Sequence, residues 1–186
     1  MSGHVFVDET KHRGYLLVAS AVPPGDLDPL RKLIRGLILP GQRRLHMKNE
    51  NDQRKRSITA AITNSDVRAT IYTAERRYRT DYTAERRYRT ERDSRAACLQ
   101  ALVADIATRG DTILVLEQDD SLIPWDRRHL YDLARQSGCA ETLRYQHQRA
   151  SAEILLAIPD AIAWCWAKGG DWQRRVEPVV ADVQRV

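Results

Sequence analysis

Residues 4–22 read HVFVDETKHRGYLLVASAV. The two ends, 4–7 and 14–22, are short runs rich in apolar and β-branched residues, and the polar turn between them contains Gly14. This is the pattern of an antiparallel hairpin. Pro23-Pro24-Gly25 stops the second strand, and the remainder of the chain alternates between helical and strand-like patterns. A hairpin leading into such an alternation predicts an α/β fold built on a mixed sheet, its hairpin antiparallel, its later strands parallel, with helices on both faces.

Asp26 or Asp28 can cap a helix with Pro29 in its first turn. Leu30, Leu33, Ile34, Leu37 and Ile38 then recur at helical spacing until Pro40-Gly41. Residues 44–48 suggest a short strand, and 52–63 a helix with Ile58 and Ile62 inward. Residues 67–72 (VRATIY) and 112–117 (TILVLE) have strand composition. Between them 94–108 carries Ala97, Cys98, Leu102 and Ile106 on one helical face. Residues 125–136 and 152–168 also look helical, the latter interrupted by Pro159 and closed by Gly169-Gly170. A last helix is expected over 171–183.

With 186 residues the chain fits one domain of ordinary size. Its 42% hydrophobic and 30% charged residues exclude a disordered tail. No apolar run approaches the roughly 20 residues that span a bilayer, and no signal-like segment opens the chain. A cytoplasmic protein without membrane association is expected. Cys98, Cys139 and Cys165 are odd in number and lack C-x-x-C spacing, so they read as core residues rather than a disulfide framework or zinc site.

The net charge of +5 suits an anionic partner. Much of the excess lies in one place. The phrase YTAERRYRT occupies 72–80 and recurs at 82–90 with Asp81 between, and it brings Arg76, Arg77, Arg79, Arg86, Arg87 and Arg89 against Glu75, Asp81 and Glu85. Interleaved tyrosines and arginines resemble a surface that contacts phosphates and stacks bases, with Arg76 and Arg86 as representative contacts. A solvated basic segment is the plainer alternative. The ten-residue period would turn a helical face about 80° short of three turns. The tandem duplication at 72–91 is therefore expected as an exposed insertion within a single domain. After it, Thr90 caps the next helix with Asp93 three residues on.

In open α/β sheets, ligands bind beyond the C-terminal ends of the strands, and here those ends are acidic. The first strand delivers Asp8 and Glu9, and the run ILVL delivers Glu117, Asp119 and Asp120. A third acidic element is EILLAIPD, where Glu153 and Asp160 bracket an apolar stretch, seven residues apart on one side of a helix. Carboxylates gathered at one sheet end are unfavourable until a hard cation such as Mg²⁺ or Mn²⁺ neutralises them. Two such ions about 4 Å apart can align a water and stabilise the leaving oxygen of a phosphodiester. Each acid alone also has an ordinary role: Asp8-Glu9-Thr10 as a polar turn, Asp119 or Asp160 as a helix-capping acid. The signal is their combination.

His46 and Lys48, at i and i+2 on the expected strand, would share a face, where His46 could meet phosphate or act as a general acid. His147 and Arg149 are further candidates for the phosphate, and a polar surface is the alternative for all four. Trp164, Trp166 and Trp172 are expected to pack the C-terminal helices. No Gly-rich phosphate loop and no G-x-S-x-G elbow occurs, which disfavours nucleotide-driven and serine-hydrolase chemistry.

VFVDET, RRLHMKNENDQRKR, ILVLEQDDS and LRYQHQRASAEILLAIPDAIAWCWAKGGDWQRRV together resemble the bacterial family called domain of unknown function 3800, in its actinobacterial form. The resemblance spans nearly the whole chain. It implies an RNase-H-like fold and a divalent-metal site on Asp8, Glu117 and Asp160, with Glu153 in the same helix motif and Glu9, Asp119 and His46 as weaker matches. The acid that such nucleases take from their next helix has only Glu50 and Asp52 as counterparts here. The implied activity is that of a metal-dependent nuclease or phosphodiesterase acting on RNA or DNA. The alternative from another class is a non-catalytic module that binds nucleic acid or a protein partner on the same frame. Self-association is left open.

Overall fold

The computed structural model describes residues 3–12, 14–74, 90–110 and 112–186. Arg76 and Arg86, expected as phosphate contacts, and most of the duplication lie outside the described residues.

The hairpin forms as expected, from β1 (Gly3–Thr10) and β2 (Tyr15–Val22), paired antiparallel from His4↔Val22 to Thr10↔Leu16. β3 (Arg68–Ala74) adds antiparallel to β2. On the other side of β1, β4 (Thr112–Glu117) pairs parallel, and β5 (Leu143–Gln148) pairs parallel to β4. The order β5-β4-β1-β2-β3, with those directions, is an RNase-H-like sheet. One more strand, β6 (Val180–Arg185), extends it in parallel on the β3 edge.

Strand parity divides the core in two. Phe6, Val18, Ile71 and Val115 face one layer of α1 (Leu27–Leu37), α2 (Asp52–Thr63), α5 (Ala157–Lys168) and α6 (Gly170–Val176). Val5, Val7, Leu17, Tyr72, Leu114 and Leu116 face the other, where α3 (Glu91–Ala107) and α4 (Ile123–Gln136) pack. Cys98, Cys139 and Cys165 are buried free thiols. The capping box at Thr90 and Asp93 forms in both directions, each bond 3.0 Å.

The structure differs from expectation in four places. Residues 44–48 are not a strand: they pair with no neighbour and pass into a 3-10 turn, Met47–Asn49. Residues 143–148, whose sequence suggests a polar surface, form edge strand β5, where Leu143, Tyr145 and His147 alternate toward α4. The expected last helix stops at Val176, because Pro178 removes a backbone donor and the Val-rich run beyond it suits a strand. Pro159 does not interrupt α5, since it stands in the first turn, where its missing N–H has no helical acceptor to lose. Glu153 thus precedes the helix, capping the 3-10 turn Ile154–Leu156 by accepting from Leu155 N at 3.1 Å.

Candidate metal centre

Alternation along β1 sends Asp8 to the same face as Phe6, and alternation along β4 sends Glu117 to the face of Val115. The two strands run parallel with Val7 beside Leu116, so both carboxylates leave the sheet at one end and on the α5 side. The first turn of α5 lays Asp160 over them, where the helix N-terminus favours a negative charge. Asp8 records the convergence. Burial pushes its carboxyl well above the usual range, and the charges of Glu117 and Asp160 push it further, against one compensating bond from Glu9 N at 2.7 Å.

Two of the three acids carry cationic partners from the segment after α1. Arg44 Nη1 donates to Glu117 Oε1 at 2.6 Å. His46 Nδ1 lies 3.1 Å from both Asp160 oxygens, and Met47 N donates to Asp160 Oδ2 at 2.8 Å. The bond to Asp160 holds the His46 imidazole above its ordinary pKa, against partial burial. Among the described residues, no three His, Cys, Asp or Glu side chains are grouped so as to hold a metal ion as they stand. The chemistry of the donors nevertheless fits a hard divalent cation: three convergent carboxylates, one of them disfavoured as an anion until neutralised. Completing the set requires Arg44 and His46 to yield Glu117 and Asp160.

A cleft of about 440 Å³ opens over this end of the sheet, lined by Asp8, Glu9, Glu117, Gln118, Asp119 and Asp120. A second, of about 400 Å³, shares Glu117 and Gln118 and is lined by Arg43, Arg44 and Arg149, with Ala150 and Ser151. Acidic and basic clefts therefore meet at Glu117. Arg149 is mostly exposed and donates to Asp120 Oδ2 at 2.9 Å. Asp119 turns onto Ser121, whose hydroxyl and backbone N–H hold its carboxyl below the usual range.

The other candidates go elsewhere. Glu153 is engaged by Arg31, Nη2 to Oε2 at 2.7 Å. Lys48 is exposed on the 3-10 turn rather than sharing a strand face with His46. His147, expected at the phosphate, points inward on β5 with its side chain 4% exposed, and its Nε2 lies 2.9 Å from Asp126 Oδ2. Since a carboxylate only accepts, that nitrogen carries the proton. Glu50 is buried, taken up by Arg54 and Gln42. Trp164 and Trp172 pack edge to face at 5.3 Å between the C-terminal helices, as expected.

A buried charge cluster on the opposite face is one that the sequence pattern does not announce. Arg95 of α3 donates Nε and Nη2 to the two oxygens of Asp126, each at 2.8 Å, and reaches Glu9 and the Tyr15 hydroxyl through Nη1. Burial alone would raise the Asp126 carboxyl, but His147 and Arg95 override it and hold the group below its usual value. The faint signal is Arg95 itself, an arginine among the inward-facing Ser94, Cys98, Leu99 and Leu102 of α3.

No family model matches the chain, and no curated protein matches it. Among solved structures it is similar to a chain of the PCNA:RNase HII complex from Archaeoglobus fulgidus, at 18% identity over 88% of this chain and 70% of that one, with a TM-score of 0.46. The likeness is distant.

Proposed function

We propose that this chain is a divalent-metal-dependent nuclease or phosphodiesterase acting on nucleic acid. The observation that supports it most is the convergence of Asp8, Glu117 and Asp160 from β1, β4 and α5, beside a cleft lined by three arginines. Asp8, Glu117 and Asp160 would hold Mg²⁺ or Mn²⁺, which supplies a Lewis acid for activating water and stabilising the leaving oxygen. Arg43, Arg44 and Arg149 line the approach for a phosphate backbone. His46, whose imidazole Asp160 holds above its ordinary pKa, stands at the edge of the site where a general acid would be placed. The same motif positions support membership in the domain of unknown function 3800 family.

The test is cleavage of labelled single-stranded and duplex RNA and DNA in the presence of Mn²⁺ or Mg²⁺. Activity should require the ion and fall by more than about a hundredfold in Asp8→Asn and in Asp160→Asn. Cleavage that survives both substitutions removes the assignment.

A second reading is favoured by the pairing of Glu117 and Asp160 with Arg44 and His46, which leaves two of the three acids with a cationic partner in place of an ion. In that case the chain is a nucleic-acid-binding module and the arginine cleft carries the affinity. Binding would then fall steeply with salt and persist in Asp8→Asn, with no cleavage under any metal.

A further inference from the structure

Leu45 is 2% exposed and packs into the core beneath α1 and α5. The backbone at His46 is extended, φ −145° and ψ 114°, so the residues flanking Leu45 project the other way, toward the strand ends. Each reaches one acid: Arg44 takes Glu117 and His46 takes Asp160. The segment is anchored behind them. Gln42 donates to Glu50 at 3.1 Å, Glu50 accepts from Arg54 Nε at 3.0 Å, and Arg54 also holds the carbonyl of Leu37 at the end of α1. The Arg44 side chain, by contrast, is 41% exposed and, among the described residues, held through a single bond.

That one guanidinium lines the basic cleft as well. With Glu117 and Gln118 common to the acidic and basic clefts, a small rotation would move Arg44 from the carboxylate to the side where Arg43 and Arg149 lie. An ion pair this exposed is weak and readily exchanged. A divalent ion at the carboxylates would outcompete a single positive charge and would relieve the repulsion that disfavours an anionic Asp8.

We infer that Arg44 is a resident counter-ion of the acidic site which a divalent ion displaces into the neighbouring cleft, where it becomes one of three arginines gripping a phosphate backbone. This rests on the metal-site reading above. Metal and polyanion are then coupled through one side chain: the ion frees Arg44 for phosphate, and phosphate draws Arg44 off Glu117. By linkage each raises affinity for the other by the same factor.

The experiment is calorimetric titration of Mn²⁺ into the wild type, Arg44→Gln, Arg44→Lys and Asp8→Asn, with and without a short phosphorothioate oligonucleotide. Without oligonucleotide, Arg44→Gln should bind Mn²⁺ about fivefold tighter than the wild type, because it no longer competes for Glu117, while Arg44→Lys stays close to the wild type. The oligonucleotide should raise the wild type's affinity for Mn²⁺ by a larger factor than that of Arg44→Gln, the difference being the coupling that Arg44 carries. Equal or weaker Mn²⁺ binding by Arg44→Gln, with binding abolished in Asp8→Asn, overturns the role of Arg44 and spares the metal site. Indistinguishable binding by all four proteins overturns both.

Discussion

Asp126→Ala is expected to cost about 3–5 kcal/mol of folding stability, the penalty for stripping a buried charge of its partner. Asp126 is 1% exposed and receives two bonds from Arg95 and one from His147. Among the described residues, the Arg95 side chain, 4% exposed, would keep only Glu9 and the Tyr15 hydroxyl, and Glu9 itself borders solvent. The loss spreads across the layer, because these groups tie the ends of β1, β2 and β5 to α3 and α4. A double variant, Arg95→Met with Asp126→Leu, should recover much of the loss by replacing the pair with packed apolar groups. Urea unfolding of the three proteins decides it: a single-variant loss below about 1 kcal/mol would mean the pair is no stronger than a surface contact. The same residue sets a pH dependence. Because the Asp126 carboxyl is held below its unfolded value, its contribution is present above about pH 4 and disappears as the pH falls through the lower folded value. Asp126→Ala should flatten that acid limb.

The residues that establish the frame are those whose pattern is local. The hairpin, α2 and β4 are legible because apolar spacing, prolines and caps act within a few residues. Asp8 and Glu117 are legible because strand ends in a parallel pair necessarily meet, and Asp160 because it follows an apolar helical stretch. The features that the sequence could not place depend on partners far along the chain. His147 looks like a surface histidine until Asp126 is known to lie beneath it. Glu153 looks like a site acid until Arg31, 122 residues away, takes it. Arg44 is hidden because a strand over 44–48 draws attention to His46 and Lys48 instead. Its spacing from His46 around Leu45 does put two side chains on one face, although no neighbouring strand pairs there. β6 reads as helix because its alternation is short and follows a helical run, and only Pro178 marks the change.

Asp8→Asn is expected to abolish cleavage and, in the absence of metal, to make the protein more stable. An anionic Asp8 is opposed first by burial and then by Glu117 and Asp160, so at neutral pH the wild type holds a carboxyl in surroundings that favour its neutral form. Asparagine keeps the shape and removes the charge. A gain of about 0.5–2 kcal/mol is the ordinary size for relieving one such functional strain, or a rise of roughly 1–8 °C in Tm for a chain of this length. The sign with pH is fixed by the direction of the shift. The folded pKa of Asp8 lies above the unfolded one, so Asp8's own contribution to stability is greatest below the unfolded value near 3.9 and declines as pH rises through the folded value. The two proteins should therefore unfold alike in acid and separate as the pH is raised. Mn²⁺ should close the gap by stabilising the wild type alone, since only its native state offers the ion all three carboxylates. Thermal unfolding across pH, with and without Mn²⁺, measures each part. An Asn variant less stable than the wild type at neutral pH without metal would show that Asp8 supports the fold rather than straining it.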